Sequence, residues 1–500
     1  MQFKALNKKY LTLLTSRRSQ SALEYMMTYG WAILIIVIVA VILYSMGIFN
    51  PSSSVTFTSS GFSPFTVSSS LCNNLGYKIA IIAGPIPNNA NSITINKVFV
   101  TSATGANTTT ASYTLTNPVT LKSGQSATIL IPNVICTAAN THYSFSAKIQ
   151  YSYDVPTIGM QKINTTGTVA GTSITGKPSA LTSYEPITIT NTQSSATPDP
   201  FQQMVNFTSS DPGFSSIATG NFGQNVEFFY YNGTVIPSWL ESYNTTKGYA
   251  IWWLKIAAIP GGSSETVYVG FAPTTTNLFN TVNDGEAPQL SSTYAEYDDG
   301  ANVFSTLYQN FKGTAVPSGW TSSGTVTINN GATVAFGGYL TTSTTFGLNS
   351  TQIADFGFTA PTANAGTAWY QFGYVSQAGG FTYDPSTAIA WNVADTPPYF
   401  VSESATSTQV FTSFPSGVAP AGTFNIGTVY WGTATSDSGW INYANEITQT
   451  TDIPSSALYL GINNNQGDGA APPTPTLYWV RIRAYPPNGV MPSVTFGSVA

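Results

Sequence analysis

Val226-Glu-Phe-Phe-Tyr-Tyr-Asn-Gly-Thr-Val-Ile-Pro237 reads as two short apolar runs around Asn232-Gly233. Asn-Gly supplies the two positive φ angles of a type I′ turn, so the stretch predicts a β-hairpin. The neighbouring runs agree. Ala250-Ile-Trp-Trp-Leu-Lys-Ile256 and Glu265-Thr-Val-Tyr-Val-Gly-Phe271 are rich in strand formers and are separated by Pro260-Gly-Gly. The same texture fills most of the 500 residues. Charged residues make up 7%, against about a quarter in ordinary soluble proteins, and 28 Tyr and 28 Phe accompany abundant Ser, Thr, Asn and Gly. Strand and turn formers dominate, so the expected class is mainly β, built of tandem antiparallel sandwiches.

Working outward, residues 50–175 form a first β-sandwich domain. Ile93-Thr-Ile-Asn-Lys-Val-Phe-Val-Thr101 and Tyr143-Ser-Phe-Ser-Ala-Lys-Ile-Gln-Tyr151 alternate apolar and polar residues, with turns at Gly84-Pro85, Asn117-Pro118 and Ser123-Gly124. The only two cysteines, Cys72 and Cys136, fall here. Outside a cell they are expected to pair, closing a loop of about 65 residues for roughly 4 kcal/mol. Residues 176–290 make a second β domain around the hairpin. Residues 291–500 make the largest, opened by Ala295-Glu-Tyr-Asp-Asp-Gly300 and closed by Tyr478-Trp-Val-Arg-Ile-Arg-Ala-Tyr485 and Pro492-Ser-Val-Thr-Phe-Gly497.

The N-terminal 49 residues differ. Trp31 to Tyr44 is apolar or aromatic without interruption, and no charge falls between Glu24 and Lys78. Such a run predicts a transmembrane helix over 20–49, about 30 Å being the thickness to cross. Lys4, Lys8, Lys9, Arg17 and Arg18 precede it with no acid, which predicts a cytoplasmic N-terminus and external C-terminal domains.

Arg17-Arg18-Ser19-Gln20-Ser21-Ala22-Leu23-Glu24-Tyr25 followed by that helix resembles the class III signal peptide of archaeal type IV pilins. The resemblance implies a leader over 1–19, cut between Ser19 and Gln20 by a prepilin peptidase. It also implies assembly through Glu24 with other pilin subunits; Ser19 stands where the family usually has Gly. A second resemblance rests on Phe201-Gln-Gln-Met204, Pro237-Ser-Trp-Leu-Glu241 and Ile251-Trp-Trp-Leu-Lys-Ile256. These look like an uncharacterised β domain of archaeal and bacterial surface proteins. Residues 291–500 look like the concanavalin A-like lectin/glucanase jelly roll that often follows it, and Trp440-Ile-Asn-Tyr-Ala-Asn-Glu446 resembles a strand-turn segment of such folds.

The formal charge of −5, lowered further if the basic leader is lost, argues against nucleic acid, which wants basic patches. One histidine, His142, and two cysteines cannot make a four-ligand zinc site. No Walker loop or dinucleotide fingerprint is present. Glu296-Tyr-Asp298-Asp299 begins the Glu-x-Asp-x-x-Glu motif of glucanases of the resembled fold but lacks its last Glu, so no catalytic residue is assigned. Asp298, Asp299 and Asp468 are the candidates for a metal, calcium being the one that oxygen ligands suit; no other cofactor is expected. Sugar binding needs only aromatic faces and amides. Trp391, Trp431 and Trp440 are its candidates, with Asn463, Asn464, Asn465 and Gln466 as a polar loop. Six sequons, at Asn107, Asn164, Asn206, Asn232, Asn244 and Asn349, are candidates for glycosylation.

The functional expectation is a membrane-anchored or pilus-associated archaeal cell-surface protein. Its partners would be membrane lipid, the peptidase, other pilins, and glycans or neighbouring cells bound through an adhesive distal domain. Alternatives are a surface-anchored glycoside hydrolase and a purely structural filament or envelope subunit. So few ionisable groups also predict that acid does little harm.

Overall fold

The structure is a computed structural model. It describes residues 29–31, 33–38, 57–156, 158–360, 369–377, 384–392, 397–404, 410–466 and 475–500. The chain divides into two compact units, Met1–Gly176 and Lys177–Ala500.

The first unit is an antiparallel sandwich. A five-stranded sheet runs Thr58–Gly61, Gly159–Thr172, His142–Val155, Ile93–Thr104, Ala111–Leu121 across its width. A three-stranded sheet, Phe65–Asn73, Gly76–Ala83 and Ser126–Ile131, faces it. Strict alternation in His142–Val155 sends Tyr143, Phe145, Ala147, Ile149 and Tyr151 inward against Tyr77, Ile79 and Ile81. Cys72 and Cys136 are joined in a disulfide, with Cα atoms 5.6 Å apart.

The second unit stacks two sandwiches. The smaller pairs a sheet of Val226–Phe229, Ser263–Phe271, Ser183–Asn191 and Ser493–Phe496 with one of Phe201–Thr208, Tyr249–Ile256, Ser238–Asn244 and Asp284–Glu286. Phe201, Val205, Phe207, Trp252 and Leu254 meet Ile187, Val267, Val269 and Phe271 in its core. Residues 493–496, at the far end of the chain, thus complete a sheet begun at residue 183. The larger sandwich packs an eight-stranded sheet, centred on Thr476–Ala484, Gln352–Thr359 and Phe424–Tyr430, on a seven-stranded one. Its core holds Phe356, Phe358, Phe372, Trp391, Phe400 and Val480. A second face of two sheets is apolar as well: Trp239 and Trp253 of the smaller sandwich meet Trp479 and Ile426 of the larger.

The hairpin at residues 226–237 forms with a different turn. Only Gly233 has positive φ, at 80°. Tyr230 N donates to Thr234 O at 2.8 Å and Gly233 N to Tyr230 O at 2.8 Å. This is a three-residue loop, a turn followed by a glycine in the left-handed region, in place of the two-residue I′ turn.

The expected transmembrane anchor is corrected. Among the described residues no helix is long and apolar enough to cross a membrane. Helix is described at residues 29–31 and 33–38 alone within 20–49. Single-pass membrane localisation, which rested on that helix, is withdrawn with it. Ser19, Gln20, Glu24 and the leader 1–19 lie outside the described residues.

Candidate functional site

Register builds the site. In the eight-stranded sheet Arg481 lies opposite Asp355, Asp355 opposite Thr428, and Thr428 opposite Trp440. Period-two alternation sends all four side chains to the face away from the sandwich core. The neighbouring positions Ala354, Phe356, Val429, Val480 and Ile482 fill that core. The facing sheet answers with a row of its own, Met204 opposite Trp253 and Trp253 opposite Trp239. A β-bulge between Leu240 and Ser242 leaves Glu241 outside the ladder, and such bulges re-aim a side chain. Here Glu241 is turned onto Arg481.

Between the two faces sits a buried charge network. Arg481 donates through Nε to Asp355 Oδ2 at 2.9 Å and through Nη2 to Glu241 Oε2 at 2.5 Å. Arg483 Nε donates to Asp355 Oδ2 at 2.7 Å, and Thr428 Oγ1 to Asp355 Oδ1 at 2.8 Å. Glu241 Oε2 also accepts from Trp253 Nε1 at 2.8 Å and from the Tyr443 hydroxyl. Four rings surround the Arg481 guanidinium, those of Phe304, Trp253, Trp479 and Trp239, at 4.3, 4.5, 4.7 and 5.2 Å. Desolvation would raise the Asp355 carboxyl, but the charges of Arg483 and Arg481 outweigh it and hold it below its ordinary value. At Glu241 burial wins, and the carboxyl is raised against the pull of Arg481.

At the edge of this network a cavity of about 340 Å³ opens. The hairpin of strands Asp437–Ile441 and Ala444–Gln449 supplies Trp440, Tyr443 and Glu446 to it. Its turn residues Asn442 and Tyr443 have φ of 53° and 61°, the two positive values of a tight I′-type connection. Positive φ is costly for a tyrosine, and its bonds to Glu241 and Arg481 hold Tyr443 there. Arg483, Tyr485 and Asn488 complete the polar and aromatic lining. Trp440 and Tyr485 are half-buried and Glu446 is exposed.

The sequence candidates fall in different places. Trp391 is 4% exposed and stacks on Tyr370, ring centroids 5.4 Å apart. Trp431 is buried, its Nε1 donating to Pro454 O at 3.0 Å. Both belong to the core, whereas Trp440 borders the cavity described above. Asn463 and Asn464 are not in a loop: they lie on strand Leu458–Gln466, buried, donating to Ser376 O and Val334 O. Asn107, Asn164, Asn206 and Asn232 are exposed, whereas Asn244 and Asn349 are half-buried.

Asp298 is a structural hub. Its oxygens accept from Trp239 Nε1 at 2.9 Å, Asn310 Nδ2 at 2.6 Å, Gly300 N at 3.0 Å and the Tyr308 hydroxyl at 2.8 Å. These donors satisfy the Asp298 carboxylate. Asp299 is buried beside it, Asp468 lies outside the described residues, and no metal-holding group of three or more His, Cys, Asp or Glu occurs among the described residues.

Close by, Asp284 and Glu286 are 4% and 2% exposed. Burial, with Glu227 adding, pushes Asp284 from 3.8 up to about 8. Burial pushes Glu286 from 4.5 to about 7 against a hydrogen bond from Ser291, with Glu296 and Asp298 adding. A raised carboxyl means that the folded state binds more protons than the unfolded one. The stability these groups contribute is therefore full below about pH 4 and is lost as pH rises through 7 to 8. Tryptophan-monitored urea unfolding should show this unit losing a few kcal/mol between pH 4 and pH 8, and Asp284→Asn should flatten that slope. An unchanged slope in the variant would sink the assignment.

No family model matches the chain. Over 127 residues it is 36% identical to uncharacterized protein 562 of Sulfolobus islandicus rod-shaped virus 1, which is 25% of this chain and 21% of that relative. The chain thus matches about a fifth of the length of that relative. Among solved structures, a Bacillus licheniformis β-glucanase is 14% identical, with a TM-score of 0.28, over 35% of this chain and 97% of its own. The Emp47p carbohydrate recognition domain is 10% identical, with a TM-score of 0.29, over 35% and 92%.

Proposed function

We propose that the chain is an adhesive, glycan-binding protein whose site is the cavity beside Trp440. The observation that carries this reading is the chemistry of the lining. One hairpin presents Trp440, Tyr443 and Glu446 to a space that Arg483, Tyr485 and Asn488 also border. Sugars offer apolar C–H faces for aromatic rings and hydroxyls for carboxylates, amides and guanidinium groups. Beneath it, the buried charge network fixes the floor, so a ligand meets preorganised groups.

The reading is binding without hydrolysis. Glycosidases use two carboxylates about 5 to 10 Å apart, and Glu446 is the one carboxylate among the residues lining this cavity. Glu241 and Asp355 are committed to arginine. A glycan array probed with the intact chain should give a defined set of ligands. Trp440→Ala should weaken the best of them about tenfold or more, a buried aromatic contact being worth roughly 1.5 kcal/mol or above. Array binding that is absent would favour a purely structural role, and release of reducing ends from the bound glycan would favour the hydrolase.

A further inference from the structure

We propose that the outward face of the five-stranded sheet in the first unit binds an acidic polysaccharide. Charge in this chain is segregated. Residues 57–176 carry five lysines and one carboxylate, Asp154, whereas residues 177–500 carry nineteen carboxylates against four lysines and two arginines. Three of the five lysines of the first unit, Lys97, Lys148 and Lys162, are also gathered. Cross-strand register forms three successive rows on one face: Thr94, Ser152, Lys162; then Thr114, Lys97, Gln150, Asn164; then Ser112, Phe99, Lys148, Thr166. The apolar positions between them on the two central strands, Val98, Ile149 and Tyr151, fill the core. Among the described residues no ion pair engages Lys97, Lys148 or Lys162.

The chemistry of the rows selects the occupant. Lys97 Nζ and Lys148 Nζ lie 4.8 and 4.4 Å from the centre of the Phe99 ring. That ring is the patch's one aromatic, and two ammonium groups already cover it. A protein partner generally needs desolvated aromatic or apolar anchors at the centre of its footprint, and the exposed Ile158 and Met160 lie instead at the hairpin end of this face, beyond Lys162, where Met160 stands opposite Asp154. The rows offer ammonium groups among hydroxyls and amides on a flat sheet. An open depression of about 400 Å³, bordered by Phe99, Thr101, Thr110 and Ser112, adjoins them. Carboxylates spaced along a polyhydroxylated chain satisfy both kinds of group at once. The face lies in a different unit from the Trp440 cavity, so the two proposals stand or fall separately.

The test uses the intact chain made without N-glycans, because a glycan on Asn164 would cover the middle row. Polygalacturonate and neutral dextran are titrated at about 50 and 500 mM salt, across which screening of surface charge becomes severe. Polygalacturonate should bind, dextran should not, and added salt should weaken the complex about tenfold or more. Lys97→Gln, Lys148→Gln and Lys162→Gln together should abolish binding, the corresponding Lys→Arg changes should retain it, and Trp440→Ala should leave it unchanged. Circular dichroism confirms that each variant is folded. Equal binding by the Gln variant, or by dextran, overturns the proposal. A lysine-dependent dimer with no polysaccharide binding overturns it too, and assigns the face to a second copy of this acidic chain.

Discussion

Arg481→Met is expected to destabilise the second unit by about 3–5 kcal/mol, the cost of breaking a buried ion pair from one side. The arginine is fully buried and bridges Glu241 of one sandwich to Asp355 of the other. Without it Asp355 keeps Arg483, but Glu241 keeps only neutral donors, Trp253 and Tyr443. The four rings around the guanidinium lose a cation as well, each such contact being worth about 0.5–2 kcal/mol. Nine of the ten tryptophans lie between residues 239 and 479, so intrinsic fluorescence reports this unit. A midpoint shift equivalent to less than about 1 kcal/mol would show that the network is not what joins the sandwiches. Combining Arg481→Met with Glu241→Leu should recover part of the loss, because it also removes the carboxylate left without its arginine and keeps the buried Asp355–Arg483 pair intact.

Removing the disulfide should cost the first unit about 4 kcal/mol. Cys72 and Cys136 are 64 positions apart, and closing a loop of that length lowers the entropy of the unfolded chain by about that much. Both thiols sit in the core beside Tyr77 and Val134, so Cys72→Ala with Cys136→Ala leaves the packing nearly intact. The loss should appear as faster amide exchange in Phe65–Asn73, Gly76–Ala83 and His142–Val155. Exchange unchanged in those strands would mean that the link adds nothing to a sandwich already stable without it.

Alternation made the first unit legible. The patterns at residues 93–101 and 143–151 became the central strands Ile93–Thr104 and His142–Val155. Turn chemistry was less informative: Asn232-Gly233 marked a reversal, but Tyr231 joined the loop and changed its type. The three tryptophans show why the site was harder. Trp391, Trp431 and Trp440 all stand in strand-like sequence, and only tertiary pairing says which face of which sheet each occupies. Trp440 shares its face with Thr428 and Asp355, while Trp391 shares its own with Ile389 and Phe372.

Part of the missed network had left a signal. Arg481 and Arg483 are the only arginines beyond residue 18, and they stand two apart in a strand. Alternation therefore commits both to one face, beside Trp479, and a buried partner for them was inferable. The acids were not. Glu241 depends on a bulge with no local signature, and Asp355 on a pairing 126 residues distant. The return of Ser493–Phe496 to Ser183–Asn191 is likewise a matter of which sheet edge is vacant, which no local pattern records.

The most direct measurement is a crystal structure of the chain with the strongest ligand from the array. A sugar ring is expected against the Trp440 face, with hydroxyls within hydrogen-bond reach of Glu446 or Asn488. A ligand seated on another face of the larger sandwich, with binding undiminished in Trp440→Ala, would contradict this placement.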